Sequence, residues 1–565
     1  MTTTVAPVRR RFTVTGVVQG VGFRPFVHRL AGELDLRGLV GNDSAAVFIE
    51  VQGELSAIEE FARRLRAQAP PLAAITDIGW VDMATEPDAG GGFRIVASRA
   101  AAGATAIPPD VAVCDDCLRE LFDVADRRYR HPFITCTNCG PRFTIIEALP
   151  YDRPATTMSG FALCDRCAAE YHDPTDRRFH AQPLACPECG PSLWFEALWF
   201  ADGRERVTGA DAALAAAQRA IGAGRVVAVK GIGGYHLACR ADDETAVADL
   251  RARKARGGKP FAVLVRDLDA ARRYADIGEA EAAILCSPAR PVVLLRRRPG
   301  APVAAGVAPG SPLLGLMLPY TPVHHLLLAP VPGTAAPAPD AIVLTSANRS
   351  DEPICFTADD AAHRLPALCD AVLDHDRPIH VPCDDSVVRV VDGRELPIRR
   401  SRGYAPLPVD LRRDGPAVLA VGAELKNTFC LTDGNRAFCS AHIGDMGTLE
   451  TLRAFERSVT QLTGLRGAPA RLAADLHPSY LTRAWAERTA GERPLDLVQH
   501  HHAHIASLRA EHGRLGDPIV GVAFDGTGYG CDATVWGGEI LVLGSDSHRF
   551  VRAGHLAAVP LPGGD

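Results

Sequence analysis

Residues 17–25 read VVQGVGFRP, an apolar run that breaks into two glycines and then presents one arginine before a proline. An alternating strand pattern ends near Val18, and a helix is expected to begin near Pro25, a residue that suits the first helical turn. Glycines between two such elements let backbone N–H groups curl around an anion. Arg24 can add a two-pronged contact to a phosphate. On spacing alone, a plain strand–helix turn with a surface arginine is the alternative.

The residues around this loop, 9–97, predict a small α/β unit. RFTVTGVV alternates as a strand, FVHRLAGELDL has helical spacing, GLVGNDSAAVFIEVQG predicts a hairpin, LSAIEEFARRLRAQA predicts a second helix, and WVDMA and GFRIV predict closing strands. The order β-α-β-β-α-β is that of the ferredoxin-like split βαβ fold. Residues 97–110, rich in alanine, predict a linker.

The loop GVVQGVGFRPF, followed by GLVGND, resembles the acylphosphatases. The resemblance implies that Arg24 binds the phosphate of an acyl phosphate and that Asn42 positions the attacking water. It also implies a phosphate cradle formed by Gln19, Gly20, Val21 and Gly22.

Composition narrows the classes of protein that the chain can belong to. Its 565 residues predict roughly three to five domains. The net charge of −6 does not favour nucleic-acid binding, which would need a local basic patch. The N-terminus lacks a signal-peptide core, and no apolar run has the ~18 residues of a membrane helix. We therefore expect a cytoplasmic protein without a membrane partner, whose 16 cysteines are metal ligands and free thiols.

Eight of the cysteines form a duplicated array: CDDC at 114–117, CTNC at 136–139, CDRC at 164–167 and CPEC at 186–189. The second pair of doublets follows the first at a constant offset of 50 residues. The flanking sequences repeat at the same offset, DRRY at 126–129 as DRRF at 176–179, and CGP after the second doublet of each pair. The repeat predicts a duplicated module over residues 110–192.

Each pair of doublets, separated by 18 residues, can place four thiolates around a tetrahedral Zn²⁺. Because all the ligands are protein thiolates, we expect two structural zinc ions bound by Cys114, Cys117, Cys136, Cys139, Cys164, Cys167, Cys186 and Cys189. Iron–sulfur clusters are the weaker alternative. His131 and His180 could each replace a cysteine, so the exact ligand set stays open. The module is too small for a large core, and we expect the metals to hold it folded as a rigid spacer or docking face.

Residues 205–405 alternate helical and strand patterns and contain the basic run LRARKARGGKPFAVLVRD at 250–267. KGIGGYH at 230–236 precedes this run and TSANRSDEPI at 345–354 follows it. A charge run is usually a solvated helix face. This one leads directly into an apolar strand that can aim cations inward, and basic groups with Ser and Asn donors suit a triphosphate.

This region resembles the YrdC/Sua5 fold, and DDSVVRVV and IRRSRGYAP at 384–406 fit its closing strands. The resemblance implies that carbamate-type acids are adenylated with ATP and Mg²⁺, which releases pyrophosphate. The positions that match its ATP-binding motifs are Lys254, Arg256, Lys259, Ser346 and Asn348. Double-stranded RNA binding is also associated with the fold, so weak RNA binding is a secondary expectation.

VQHHHAHIAS at 498–507 contains four histidines in five residues, a density that packing does not explain. On a helix, i and i+4 share a face, so His500 and His504 can bind one metal. GVAFDGTGYG at 521–530 supplies Asp525 at a predicted strand end, which we expect to join the metal site, followed by a predicted glycine turn suited to phosphate.

These motifs, together with VGAELKNT at 421–428 and HIGDM at 442–446, resemble the Kae1-like, actin-type ATPase domain. The resemblance implies a divalent metal, iron or zinc, at the HxxxH pair. Members of that family carry a further aspartate ligand nearer their C-terminus. Since the sequence ends in the glycine turn PLPGGD, we expect residues 416–565 to be the first part of such a domain.

The order of acylphosphatase-like, twin zinc-ribbon, YrdC-like and Kae1-like segments resembles the HypF carbamoyltransferases of [NiFe]-hydrogenase maturation. The resemblance implies hydrolysis of carbamoyl phosphate, adenylation of the carbamate, and transfer of the carbamoyl group to the C-terminal cysteine of a HypE-type acceptor for cyanide-ligand synthesis. The alternatives are tRNA threonylcarbamoylation, which uses the two later folds, and an RNA-binding zinc protein. The acylphosphatase-like segment argues against both alternatives, since neither needs a phosphate-hydrolysing unit.

Overall fold

The computed structural model describes residues 7–43, 46–70, 72–86, 92–96, 107–198, 205–546 and 548–560. Most of the predicted linker, residues 97–106, lies outside these ranges. The chain divides into two compact units, Met1–Ser350 with Ile354–Pro406, and Asp351–Pro353 with Leu407–Asp565. None of the described helices combines the length and the apolar character that crossing a bilayer requires.

The N-terminal segment has the predicted ferredoxin-like arrangement, with two helices packed on one sheet. Its strands lie in the order β4-β1-β3-β2-β5. The elements are β1 (Val8–Val17), α1 (Phe23–Glu33), β2 (Arg37–Asn42), β3 (Val47–Gly53), α2 (Leu55–Ala67), β4 (Ala74–Met83) and β5 (Phe93–Ile95). Fully buried Phe12 of β1 packs against Phe61 of α2, with ring centroids 5.8 Å apart. This core fixes the two ends of the glycine loop between β1 and α1.

The cysteine module repeats in space as it does in sequence. Each copy has one short helix that begins directly after its first cysteine, α3 (Asp115–Phe122) and α4 (Asp165–His172). In the first copy Arg130 has φ 53° and donates its N–H to the Leu121 carbonyl. In the second copy His180 has φ 51° and donates its N–H to the Tyr171 carbonyl. The two copies therefore share a backbone conformation.

The next segment is an 11-stranded sheet of order β16-β15-β11-β12-β10-β13-β9-β8-β14-β6-β7. Its strands are β6 (Leu193–Ala197), β7 (Glu205–Thr208), β8 (Val227–Lys230), β9 (Tyr235–Arg240), β10 (Ala262–Val265), β11 (Val292–Arg296), β12 (Leu313–Met317), β13 (Ala341–Ser346), β14 (Ala371–His375), β15 (Val387–Val391) and β16 (Arg394–Arg399). Its helices are α5 (Ala210–Gly222), α6 (Glu244–Arg253), α7 (Leu268–Ala271), α8 (Glu279–Cys286), α9 (Pro322–Leu327) and α10 (Ala358–Arg364).

This sheet separates two hydrophobic cores, because successive side chains of a strand point to opposite faces. Val227 and Val229 of β8 lie in one core and Ala228 in the other. The first copy of the cysteine module shares the core of Val227, whereas the second copy has a small core of its own around Tyr171 and Leu184. The two copies therefore have different neighbours.

The second unit contains a sheet of order β17-β19-β18-β20-β21 and a separate antiparallel sheet, β22-β23-β24. The elements are β17 (Pro408–Gly415), β18 (Val418–Ala420), β19 (Cys430–Cys439), α11 (Leu449–Arg466), β20 (Arg471–Asp475), α12 (Leu481–Ala490), β21 (Leu495–Val498), α13 (His500–Glu511), β22 (Ile519–Tyr529), β23 (Val535–Leu543) and β24 (Phe550–His555). The prediction of a glycine turn after Asp525 is wrong. β22 continues to Tyr529, and the glycine-rich segment is accommodated by a shift in strand register between Phe524 and Gly528.

Candidate active and metal sites

The glycine loop has the backbone conformation that its sequence predicted. Gly20 and Gly22 have φ of 68° and 74°, in the left-handed region that glycine adopts without steric cost. Gly22 is the N-cap of α1, so the loop ends at a helix N-terminus, where free N–H groups favour an anion. Arg24 lies in the first turn of that helix and is only 8% exposed. The loop and the arginine together place backbone N–H groups and a guanidinium on one side of the same turn, an arrangement suited to an anion.

A hydrogen bond from Gln19 connects the loop to the strand end that carries Asn42. The Nε2 of Gln19 donates to the carbonyl of Asp43 at 2.6 Å, which ties the loop to the end of β2, where Asn42 is the last residue. Asn42 is buried, and among the described residues its Oδ1 has no hydrogen-bond partner. Leaving a buried acceptor unpaired is costly, so this amide fits a group that binds a ligand or a water.

The cysteine module covers the phosphate loop, a feature that sequence reasoning missed. Gln19, Gly20, Gly22 and Arg24 line one side of a small cavity. The other side is formed by residues of both copies and of the segment between them, namely Thr137, Arg142, Tyr151, Phe179, His180, Ala181 and Gln182. Val21, part of the predicted cradle, is fully buried.

Two charged residues of the module hold the loop directly. Arg142 is buried and donates from Nε to the Gly20 carbonyl at 2.7 Å, while its other nitrogens donate to backbone carbonyls around Cys136 and Cys139. Asp152, between the two copies, lies 3.4 Å from Nη2 of Arg24. The first contact fixes the loop against the first cysteine cluster, and the second places a carboxylate beside the phosphate-binding arginine.

The eight cysteines of the module form two four-thiol clusters, and both predicted pairings are present. In the first cluster, Sγ–Sγ distances are 3.6 Å for Cys114–Cys136, 3.8 Å for Cys136–Cys139 and 3.6 Å for Cys117–Cys139. Tetrahedral zinc with Zn–S bonds of ~2.3 Å requires sulfurs about 3.8 Å apart. The clusters thus fit zinc, and neither His131 nor His180 belongs to them.

Three of the five nucleotide-binding candidates meet where α6 ends beside β13. The buried ammonium of Lys254 donates to the carbonyls of Ser346 and Asn348, both at 2.6 Å, and to Oδ1 of Asn348 at 3.2 Å. The Ser346 hydroxyl donates to the same Oδ1. Burial, with the nearby charge of Arg256 as a further cause, lowers the pKa of Lys254 to about 7.

The rest of the basic run has structural partners. Arg251 donates to the carbonyls of Gly306 and Lys259, and Arg253 forms ion pairs with Asp249 and Asp370. Arg256 donates to the carbonyls of Lys259 and Pro260. Lys259 is exposed. The run therefore brings Lys254 to Ser346 and Asn348, while Arg251 and Arg253 bind the protein itself.

His500 and His504 lie on one face of α13, as their spacing predicted, and Asp525 of β22 joins them. Nε2 of His500 lies 2.8 Å and Nε2 of His504 lies 3.5 Å from Oδ2 of Asp525. Sequence reasoning missed Asp475, whose Oδ2 lies 2.6 Å from Nδ1 of His500. Its carboxylate raises the pKa of His500. A carboxylate behind a histidine fixes the tautomer that leaves Nε2 for a metal.

These arrangements define a class of multidomain zinc-binding enzyme that combines an acylphosphatase-like phosphate loop with a YrdC-like and a Kae1-like domain. Family models match the chain in that order. They are described as Acylphosphatase (10–95), HypF finger (113–146 and 163–196), Telomere recombination, of the Sua5/YciO/YrdC type (219–401), HypF Kae1-like domain (413–511) and Carbamoyltransferase, Kae1-like domain, second subdomain (521–565).

Curated relatives and a solved structure agree with these matches. The chain is 52% identical to carbamoyltransferase HypF2 of Cupriavidus necator over 99% of its own length and 70% of the relative's. It is 49% identical to carbamoyltransferase HypF of Rhizobium leguminosarum with the same coverage. A crystal structure of full-length HypF in a phosphate- and nucleotide-bound form superposes with a TM-score of 0.91 at 44% identity, covering 99% of this chain and 71% of that one.

The chain belongs to the HypF carbamoyltransferase family. It is an enzyme with carbamoyltransferase and acylphosphatase-like activity.

Proposed function

We propose that the chain converts carbamoyl phosphate to a carbamoyl adenylate and passes the carbamoyl group to the C-terminal cysteine of a HypE-type protein in [NiFe]-hydrogenase maturation. The observation that carries the proposal is the position of the cysteine module. It closes over the phosphate loop on one side, and on the other it packs against the 11-stranded sheet, with Ala112 N–H donating to the Pro288 carbonyl at 2.8 Å and His380 N–H to the Thr144 carbonyl at 2.9 Å.

The first step is hydrolysis of the acyl phosphate to carbamate and inorganic phosphate. Arg24 and the loop N–H groups hold the phosphoryl oxygens and stabilise the charge that spreads over them. Asn42, with its unpaired buried Oδ1, orients the attacking water. The oxygen of the water forms a bond to phosphorus. The bond between phosphorus and the bridging oxygen of the acyl group breaks, and carbamate leaves with that oxygen.

Carbamate is unstable in water, so its passage from the phosphate site to the nucleotide site requires an enclosed route. A cavity between the cysteine module and the 11-stranded sheet supports such a route. It is lined by Phe133 and Thr135 on the module side and by Lys230, His375 and Arg377 on the sheet side. Arg377 is buried, and burial lowers its pKa to about 10. Buried cations of this kind favour a small anion such as carbamate.

The second reaction joins carbamate to AMP and releases pyrophosphate. Lys254, Ser346 and Asn348 form a hydrogen-bonded group suited to the phosphates of ATP, with Arg256 and Lys259 on the adjoining loop. Mg²⁺ bound by the nucleotide would offset the charge on the pyrophosphate leaving group. This arrangement also weakens the RNA-binding alternative, because Arg251 and Arg253 of the basic run have protein partners.

The final transfer is assigned to the second unit. His500, His504 and Asp525 would hold a divalent metal, either iron or zinc, and Asp475 orients His500. Such a metal, when bound, polarises a carbonyl or holds the nucleotide. The acceptor thiolate attacks the carbamoyl carbon, its sulfur forms the new bond, and AMP departs with the electrons of the broken bond.

The test is pyrophosphate release from ATP by the full chain, with and without carbamoyl phosphate. We expect release that requires carbamoyl phosphate and is lost in Arg24→Ala. The matched control is Arg29→Ala on the same helix, an exposed residue paired with Glu33, which should behave as wild type. Release that is independent of carbamoyl phosphate, or that requires threonine and bicarbonate, would favour the tRNA-modifying alternative instead.

A further inference from the structure

The two copies of the cysteine module differ at the positions that face the phosphate loop. At the constant offset of 50 residues, Leu121, Arg130 and Pro132 of the first copy correspond to Tyr171, His180 and Gln182 of the second. Arg130 and His180 share the same left-handed backbone conformation. Arg130 forms an ion pair with Asp211 of α5, at 2.6 Å, whereas His180 lines the cavity that contains Arg24. The second copy therefore places the polar side chains of His180 and Gln182 at the cavity, where the first copy has Arg130 and Pro132 at the matching positions.

Two of the polar atoms on this side of the cavity are buried without partners. Among the described residues, Nδ1 of His180 has no hydrogen-bond partner, and the Tyr151 hydroxyl has no acceptor, although the guanidinium of Arg142 lies nearby. The ring of Tyr151 lies against the phosphate loop, since a Cβ placed on Gly20 would lie 2.9 Å from its Cδ1. Unpaired buried polar atoms are rare in folded proteins, and they indicate a bound group that completes them.

Neighbouring residues hold the ring of His180 and the side chain of Gln182 in place. Gln182 accepts a hydrogen bond from the Tyr171 hydroxyl at 2.6 Å and donates to Asp152 at 3.4 Å. The ring of His180 packs against the rings of Tyr171 and Phe179, with centroids 4.8 and 4.4 Å away. The side chains of His180 and Gln182 are therefore preorganised by contacts within the protein.

We propose that Tyr151 and His180 recognise the acyl group of the substrate and select acyl phosphates whose acyl carbon carries an amino group. This inference rests on the proposed hydrolysis of carbamoyl phosphate at Arg24. A carbamoyl group offers an N–H₂ donor and a carbonyl acceptor, which can pair with an imidazole nitrogen and a phenol. Acetyl phosphate keeps the carbonyl that pairs with the phenol, but its methyl group, similar in size to the amino group, leaves the imidazole nitrogen unpaired.

The charge states of the two residues agree with these roles. Burial, together with the charge of Arg24, lowers the pKa of His180 to about 4, so that the imidazole is neutral near pH 7 and keeps one nitrogen as an acceptor. Burial raises the pKa of Tyr151 to about 12, so that its hydroxyl remains a donor. A site built to hydrogen-bond a substrate group discriminates strongly against an analogue that lacks it.

The experiment compares kcat/KM for carbamoyl phosphate and acetyl phosphate, measured as phosphate release by the full chain after subtraction of the Arg24→Ala background. We expect His180→Gly to lower the value for carbamoyl phosphate by about tenfold and to change that for acetyl phosphate by less than about twofold. Tyr151→Phe should lower both values to a similar extent, because both substrates carry the carbonyl that the phenol recognises. Glycine adopts the left-handed backbone of position 180 without steric cost and offers no side-chain acceptor. The matched control is Tyr129→Phe in the first copy, which should alter neither value. Zinc content checks that each variant retains its module.

The outcomes separate the inference from the proposed function. If His180→Gly reduces both activities in equal proportion, the imidazole has a structural role and the inference is overturned, while hydrolysis at Arg24 would stand. If Tyr151→Phe changes neither activity, the phenol does not recognise the acyl group. A wild-type chain that hydrolyses neither acyl phosphate would overturn both. A changed ratio of the two activities in His180→Gly, with the ratio kept in Tyr151→Phe and both values unchanged in the control, establishes acyl-group selection by the module.

Discussion

Arg177 donates from Nη1 and Nη2 to Sγ of Cys117, at 3.3 and 3.4 Å, although the two residues belong to different copies of the cysteine module. The reverse contact is also present, because Nη2 of Arg127 donates to Sγ of Cys167 at 3.0 Å. Both arginines belong to the repeated DRR motifs. Each metal cluster is therefore supported by an arginine of the other copy, and hydrogen bonds of this kind stabilise thiolate ligands.

Removing one of these arginines should weaken the metal site of the opposite copy. We expect Arg177→Ala to lower zinc affinity at Cys114, Cys117, Cys136 and Cys139 by about 10- to 100-fold, because outer-shell partners typically contribute that much. Chelator competition followed by native mass spectrometry would count the zinc ions lost, and alkylation of the freed thiols would identify the site.

Two further variants serve as controls for this exchange of contacts. Arg127→Ala should act on the other cluster, whereas Arg119→Ala, an exposed residue of α3 paired with Asp116, should affect neither. Loss of zinc from the copy that contains the mutated arginine, and not from the opposite copy, would contradict the prediction.

Asp152 should oppose phosphate binding in the first site. Its carboxylate lies beside Arg24 and would repel a phosphate held by the same guanidinium. Asp152 is partly exposed, so screening limits the effect, and we expect Asp152→Asn to tighten inorganic phosphate binding by about three- to tenfold. Titration calorimetry on the full chain measures this change, with the exposed Asp173→Asn as a control. Weaker binding in Asp152→Asn would mean that the carboxylate instead positions Arg24.

The parts of the sites that sequence predicted are local in the chain. The doublets of Cys114 and Cys117, the glycines before Arg24, and the pair His500 and His504 each lie within a few residues, so that a single turn or helix fixes their geometry. The ferredoxin-like order of the first segment was predictable for the same reason, because its periodicity changes from strand to helix at clear boundaries.

The wall of the phosphate cavity could not be predicted in this way. Tyr151 and Asp152 lie in an irregular segment without a motif. Asp152 is 128 residues away from Arg24 in the sequence, and the two approach each other only because the module packs on the loop. The position of Asp475 beside His500, in contrast, could have been predicted from the strand pattern. Asp475 ends a strand parallel to the one that precedes His500, and adjacent parallel strands bring their carboxyl ends together.

Nucleotide binding should be linked to a proton at Lys254. With its pKa lowered to about 7 by burial, this amine is largely neutral at about pH 8 in the free protein. The negative phosphates of a nucleotide favour the ammonium form and raise that pKa, so binding takes up a proton there. By linkage, ATP affinity should fall as pH rises above about 7, by up to about tenfold per pH unit.

Calorimetry in buffers of different ionisation enthalpy measures the proton uptake directly. We expect uptake at about pH 8 that largely disappears near pH 6, where Lys254 is already protonated. Arg272→Ala is the matched control, because this exposed arginine pairs with Asp269 outside the nucleotide-binding group and should leave the uptake unchanged. An observed heat of binding that does not vary with the buffer at about pH 8 would contradict the assignment.

Asp475 should control metal affinity at the histidine site without binding the metal itself. Its Oδ2 accepts from Nδ1 of His500, so that Nε2, which lies 2.8 Å from Oδ2 of Asp525, is the nitrogen available to a metal. Asp475→Asn removes the acceptor and the tautomer it fixes, so we expect metal affinity to fall by about 10- to 100-fold. The measurement is competition with a chelator for Fe²⁺ or Zn²⁺ by the full chain with both cysteine clusters loaded.

The neighbouring strand supplies the control for this last variant. Asp496 on β21 forms a two-pronged pair with Arg471, at 2.8 and 2.9 Å, outside the histidine cluster. Asp496→Asn should therefore leave metal affinity as in wild type, whereas His504→Ala should abolish binding. If Asp475→Asn binds the metal as tightly as Asp496→Asn, the His500 tautomer does not depend on Asp475, and the carboxylate only caps the backbone N–H of His477, to which it is bonded at 2.8 Å.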